Sequence, residues 1–326
     1  MLARLFQRSA PAPRPAGDAP VEGRVSVVVP LYNHARYIEA AIDSALAQGK
    51  LLRELIVIDD GSTDDSAKVM ARLAQGDPRI RFRTQANQGA AATINAGMRD
   101  CSGDYIAILN SDDAYLPGRL AALASALDAE PRAAIAASGI AFMDGQGAPI
   151  ANAWYAEALA FRADHDMATA LVNGNFLMTT SNFLFRRELP AAIGGFAALR
   201  YTHDLDFALR ALALGHGIAL LDDTLLRYRI HATNTIAEDH RRVRAEWAAT
   251  AAAYLTLAWD RPGAPEPDWS AAAAMEAVLQ RHELSRAVHL CMAQLRRRCE
   301  DPQPGRLDRA AVLHDEGFRT RLMEWA

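Results

Sequence analysis

The sequence predicts an α/β fold: a mostly parallel sheet flanked by helices, with a helical extension towards the C-terminus. Three observations predict it. Short apolar runs alternate with stretches of helical spacing between Val25 and Asp113, and polar clusters recur where those runs stop. The 326 residues, 51% hydrophobic and 23% charged, can also bury a sizeable core without a disulfide or metal staple.

Each element follows from a local pattern. Val25–Val29 is a β-branched run stopped by Pro30, as expected of a buried strand. Ile38, Ala41, Ile42, Ala45 and Leu46 then recur at helical spacing, and Gly49 closes that segment. Leu55–Ile58 is a second strand. It runs into Asp59-Asp60-Gly61-Ser62-Thr63-Asp64, where Ser62 or Thr63 is expected to cap the helix carrying Val69, Met70 and Leu73. Ile80–Phe82 gives a third strand and Ala90–Met98 a third helix. Tyr105–Leu109 is the fourth strand, ending in Asn110-Ser111-Asp112-Asp113.

Strands alternating with helices imply right-handed crossovers and parallel pairing. In such a sheet the carboxyl ends of the strands share one edge, and ligands bind there. Pro30-Leu31-Tyr32-Asn33, Asp59-Asp60 and Asp112-Asp113 are therefore expected on one crest although far apart in the chain.

Composition narrows the function. A net charge of −4 and a pI near 6.1 argue against a nucleic-acid partner. Cys101, Cys291 and Cys299 are widely spaced and odd in number. They suggest neither a metal cluster nor a disulfide framework, and point to a reducing, cytoplasmic location. No apolar stretch reaches the ~18–20 residues of a transmembrane segment. Residues 1–22 lack the apolar centre of a secretory signal and read as a flexible N-terminal extension. Leu2, Leu5 and Phe6 beside Arg4 and Arg8 leave peripheral contact with the inner face of the cytoplasmic membrane open.

Carboxylate pairs at strand ends suit a hard divalent cation, Mn2+ or Mg2+, shared with substrate phosphates. Either cluster alone reads as a turn with a helix cap; both at equivalent strand ends favour a site. The sequence carries no GxxxxGK, no GxGxxG after the first strand and no HExxH. P-loop, dinucleotide and zinc-protease chemistries therefore gain no support.

The segments VSVVVPLYN (Val25–Asn33), ELIVIDDGSTDDS (Glu54–Ser66), NQGAAATINAG (Asn87–Gly97) and GDYIAILNSDD (Gly103–Asp113) carry a family likeness. So do TTSNFLFRR (Thr179–Arg187), IGGF (Ile193–Phe196), HDLDFALRALALG (His203–Gly215) and YRIHATNT (Tyr228–Thr235). In order and spacing they resemble family 2 glycosyltransferases of the GT-A fold, inverting enzymes that include many makers of bacterial surface polysaccharide. The resemblance runs from Arg24 to Ile236. It implies a GT-A domain over 23–236, split into a nucleotide-binding half (23–115) and an acceptor half (116–236), followed by a helical C-terminal region (237–326).

The resemblance also implies roles. Pro30, Tyr32 and Asn33 border the nucleotide base, and Asp60 hydrogen-bonds it. Asp112 contacts the ribose or sugar, Asp113 ligates the metal, and His231 lies near the metal and diphosphate as a second ligand. Asp204 is the catalytic base. Arg227 and Arg229 flank Tyr228 on one side of a strand, so either meets the diphosphate if that side faces the site, and Arg229 is the one assigned to it. Three residues depart from the pattern: Asn110 replaces the first acid of a DxD motif, Ile94 stands where an arginine is common, and His203 precedes Asp204. The last leaves Asp206 as an alternative base. The implied partners are a nucleotide-sugar donor, a UDP-sugar by preference, and a glycan or lipid-linked acceptor.

Asn175, Thr179, Ser181 and Asn182 beside Phe176, Phe183 and Phe185 suit either a sugar acceptor or an ordinary sheet edge. Beyond Glu238 the chain reads as helical, with one helix around Trp247, Tyr254, Leu255 and Trp259 and another over Met275–Arg297. Arg241-Arg242, Arg244 and Arg296–Arg298 read as solvated faces, with homo-oligomerisation through these helices open. Two other functions compete. One is a catalytically degenerate sugar-nucleotide-binding module, encouraged by Asn110 and His203. The other is a nucleotidyltransferase, which needs a glycine-rich basic loop where PLYNHARY stands.

Overall fold

The computed structural model describes residues 22–298 and 309–325, apart from 233, 236, 237, 262 and 267. Except for Glu22, the expected N-terminal extension lies outside the described residues, as does Cys299. The alternation read from the sequence is present as β1 (Val25–Leu31), α1 (Ile38–Leu46), β2 (Leu52–Asp59), α2 (Ser66–Ala74), β3 (Ile80–Thr84), α3 (Ala90–Arg99) and β4 (Tyr105–Ile108). β1 pairs in parallel with β2 and β4, and β2 with β3.

Pro30 does not end β1, and the register explains why. Leu109 N–H donates to the Val28 carbonyl and Asp60 N–H to the Leu31 carbonyl. Alternation therefore turns Pro30 towards β4, whose pairing stops at Val28 and Ile108. The missing N–H falls where no partner strand remains. α3 lies so close to β1 that a Cβ at Gly97 would stand 2.4 Å from Val28 Cγ1, a contact only glycine allows.

The second half is mixed. It contains β5 (Ala114–Tyr115), α4 (Arg119–Ala129), β6 (Ala133–Met143), β7 (Pro149–Ile150), α5 (Ala153–Ala163), α6 (Met167–Asn173), β8 (Leu184–Arg186), α7 (Leu189–Ile193), α8 (His203–Ala213) and β9 (Gly217–Arg229). The sheet runs β3-β2-β1-β4-β8-β6-β9-β5, with β7 beside β6. β8 is antiparallel to both neighbours, while β6 and β9 are parallel.

Two expectations are corrected. Neither Ser62 nor Thr63 caps α2, which starts at Ser66 after Asp65. Ser62 Oγ instead accepts Asn33 N–H (2.9 Å), and Asn33 Oδ1 accepts Thr63 N–H (2.8 Å). The hydroxyl and amide tie two strand-end loops together. The helix expected over Met275–Arg297 is two, α10 (Trp269–Arg281) and α11 (Ser285–Arg298). Glu283 adopts φ +58° between them, and Leu284 N–H donates back to Leu279 O at 2.7 Å. That is a helix-ending turn in which the usual glycine is missing, so the sequence hides it.

α9 (His240–Leu255), continued by a π-helical turn over Thr256–Asp260, and α12 (Arg309–His314) and α13 (Glu316–Trp325) complete the described helices of the C-terminal region. Ala248, Ala252, Leu255, Val278 and Val288 share one continuous buried core with Phe183, Phe207 and Leu209 of the sheet domain. Several of the basic side chains meet acids of the same chain, Arg296 with Asp260, Arg298 with Asp315 and Arg242 with Asp239. Among the described residues no helix is long and apolar enough to cross a membrane.

Candidate active site

The ends of β1, β4 and β9 deliver three side chains to one point. His231, just after β9, has Nε2 3.0 Å from Asp112 Oδ2 in the loop after β4. His34, in the loop after β1, has its ring edge-on to His231 with centroids 5.7 Å apart. One ligand atom from each of His34, Asp112 and His231 lies within 4.8 Å of the others. Supports surround them: Ser111 Oγ is 2.8 Å from His34 Nδ1, and the Tyr37 ring stacks on His231 at 5.3 Å. The side chains of His231 and Asp112 are 8% and 12% exposed, shielded yet reachable.

The two adjacent acids are distinct. Asp113 accepts Ser181 Oγ–H (2.6 Å) on Oδ2 and Arg229 N–H (3.0 Å) on Oδ1. Burial and the neighbouring Asp112 charge push its carboxyl well up. Burial opposes ionisation of Asp112 too, but the hydrogen bond with His231 and the nearby imidazoles hold its carboxyl below the ordinary value. Asp112 is therefore the member that carries the stable negative charge. Burial pushes the His34 imidazole towards its neutral form, which offers a lone pair. Arg229 is buried, its Nε donating to Asp112 O (2.8 Å), its Nη1 to Asp144 O (3.1 Å), and its guanidinium lying over the Tyr37 ring. These contacts brace the loop.

Asp204 stands in the first turn of α8, where the helix dipole favours the anion. It is 5% exposed and its Oδ2 accepts Asn175 Nδ2–H at 2.9 Å. The same 175–182 stretch holds the β4 loop. Asn110 donates from Nδ2 to Thr179 Oγ1 and accepts from Thr180 Oγ1, and Ser181 reaches Asp113. Burial, followed by the charges of Asp113, Asp112 and Asp204, raises the pKa of Tyr228. Asp206 points elsewhere, into a fully buried ion pair with Arg210 at 2.7 Å. Glu246 of α9 accepts the N–H groups of Arg200, Tyr201 and Thr202, fixing the approach to α8.

The remaining expected residues line the β1 and β2 ends. Asp60 is 3% exposed, accepting Gln85 Nε2–H and Gln88 N–H on Oδ1 and Gly89 N–H on Oδ2. Tyr32 is 46% exposed beside half-buried Pro30, and Asn33 holds the left-handed φ of +54° that asparagine tolerates. Ile94 is fully buried, so the position often held by arginine belongs here to the core.

Donor chemistry fits a divalent cation at the His34–Asp112–His231 cluster. One carboxylate oxygen with imidazole nitrogens suits a divalent first-row cation, Mn2+ among them. Adjacent donors around an octahedral ion with ~2.1 Å bonds lie ~3 Å apart, close to the 3.0 Å between His231 and Asp112.

The sheet has a GT-A-type arrangement, with a metal-competent cluster on its crest and a separate buried carboxylate, Asp204, in the first turn of α8. The profile of glycosyl transferase family 2 matches residues 26–203, over half of the chain, and the chain belongs to that family. An uncharacterized glycosyltransferase of Nostoc sp. is 29% identical over 216 residues, covering 65% of this chain and 66% of the relative, just under two thirds of that relative's own length. The fold is shared with Staphylococcus aureus TarS 1–349 in complex with UDP-GlcNAc (TM-score 0.60, 18% identity, 79% of this chain and 72% of that one). It is also shared with the mannosyltransferase PcManGT of Pyrobaculum calidifontis in complex with GDP-Man and Mn2+ (TM-score 0.57, 20% identity, 94% and 86%).

His34 and the brace from Asn175 to Asp204 are absent from the sequence-derived site. His34 directly follows Asn33, so a histidine in a strand-end loop was the available signal. Nothing local announces the contact across 29 residues between Asn175 and Asp204.

Proposed function

We propose that the chain is a divalent-metal-dependent inverting glycosyltransferase that moves a sugar from a nucleotide-sugar donor to a hydroxyl acceptor. The observation that carries this reading is the approach of His231 to Asp112 on the crest, with Asp204 tied to the same loop through Asn175 and Ser181. Asp112, rather than the expected Asp113, joins His231 at the cation, while Asp113 and Arg229, the latter expected at the diphosphate, brace the loop that presents Asp112. When bound, Mn2+ or Mg2+ supplies Lewis-acid stabilisation for the leaving diphosphate.

Asp204 takes the proton from the acceptor hydroxyl as that oxygen attacks the anomeric carbon, help worth ~10²–10⁴-fold. Asn175 Nδ2 orients Asp204, and among the described residues its Oδ1 is buried without a partner, an acceptor ready for an incoming hydroxyl. The Tyr32 ring and Asp60 meet the base. TarS with UDP-GlcNAc and PcManGT with GDP-Man and Mn2+ support a nucleoside-diphosphate sugar, UDP-linked by preference, and a metal. The acceptor is a glycan or lipid-linked glycan, in cytoplasmic synthesis of a surface polysaccharide.

Nucleoside-diphosphate sugars incubated with the protein and Mn2+ test this directly. Release of nucleoside diphosphate, lost in Asp204→Asn, is the expected result. Binding without turnover for any donor returns the protein to a binding module, and pyrophosphate release from a nucleoside triphosphate marks a nucleotidyltransferase.

A further inference from the structure

We infer that His34 is a third protein ligand of the cation, so that the chain binds Mn2+ before any nucleotide arrives. The inference rests on the proposed cation site at Asp112 and His231, and adds the residue that completes it. His34 comes from a different strand end than the other two, yet its ligand atom joins theirs within 4.8 Å. Its ring is held from two sides, by Ser111 Oγ at 2.8 Å from Nδ1 and by the Tyr37 ring at 5.9 Å, so little side-chain freedom is lost on binding.

Two consequences follow from this donor set. A site with one carboxylate and one imidazole depends on substrate phosphates to fill its coordination sphere. A second imidazole lets the protein retain the ion alone, leaving the remaining positions for diphosphate oxygens. Imidazole nitrogen also suits first-row transition metals better than Mg2+, which prefers oxygen and keeps its waters. The site should therefore select Mn2+ over Mg2+ through its own side chains.

The test uses the full chain and Mn2+ alone, without nucleotide. Electron spin-echo envelope modulation of the wild-type complex should show two coordinated nitrogens, and one in His34→Ala. Calorimetry should show at least a ~10-fold loss of Mn2+ affinity in His34→Ala, the scale seen when even outer-shell partners are removed. The wild-type spectrum needs no variant, so a poorly folding substitution leaves the inference testable. A single nitrogen in wild type, with affinity lost in Asp112→Ala but kept in His34→Ala, overturns the role of His34 alone. Unchanged Mn2+ affinity in Asp112→Ala as well removes the underlying cation site.

Discussion

Asn175 Nδ2 donates to Asp204 Oδ2 at 2.9 Å, and six residues later Ser181 donates to Asp113 Oδ2 at 2.6 Å. One short segment thus grips both the proposed base and the loop that presents the proposed cation ligand. In the proposed mechanism this segment sets the spacing between proton transfer and leaving-group departure, which in-line displacement requires.

Asp204→Asn should lower turnover by ~10²–10⁴-fold while leaving nucleotide affinity unchanged. Asn175→Ala should lower kcat less, because the carboxylate survives and only its orientation is lost. Steady-state kinetics beside UDP calorimetry checks both. A near-normal rate in Asp204→Asn would move the base elsewhere, though not readily to Asp206, which Arg210 already holds.

Asp113→Asn should behave differently from Asp112→Asn. Asp113 serves Ser181 and the Arg229 backbone, so its amide variant should lower the melting temperature and retain part of the Mn2+ affinity. Asp112→Asn should leave the melting temperature nearly unchanged and remove most Mn2+ binding. Thermal unfolding with and without Mn2+ separates the two.

Glu246→Ala should reduce kcat without changing nucleotide affinity. The three N–H groups that Glu246 accepts precede the helix bearing Asp204, so the variant leaves three backbone donors without their carboxylate. Hydrogen exchange at residues 200–204 should rise in the variant, and unchanged exchange would sink the idea.

Acid should destabilise the fold through Glu54. Burial opposes its ionisation, but Ser26, Ser102 and Arg81 hold its carboxyl below the ordinary 4.5. A depressed folded value means stability is fully present above 4.5 and lost as pH falls through the folded value. Glu54→Gln should flatten that loss in denaturant titrations between neutral and acid pH, at a cost near neutrality of about 1–3 kcal/mol.

Much of the fold was legible because periodicity is local. β1 to β4 and their helices appear where Val25–Val29, Leu55–Ile58 and Ile38–Leu46 announced them. The antiparallel β8 was not, since Leu184–Arg186 is three residues long and owes its existence to β4 and β6 on either side. The crest itself followed from topology. Which acid faces which partner did not: Asp112 and Asp113 are chemically identical neighbours, and only the alternation of the backbone turns one towards His231 and the other towards Ser181. The left-handed Glu283 shows the same limit, for a break without glycine leaves no mark in the sequence.

Calorimetric titration of UDP with Mn2+ and with a chelator, in wild type and Asp112→Ala, tests the central claim most directly. Wild type should bind UDP at least ~10-fold more tightly with Mn2+, and Asp112→Ala should lose that increment while keeping the metal-free affinity. Equal UDP affinity with Mn2+ and with chelator in wild type, or a full metal increment in Asp112→Ala, would contradict it.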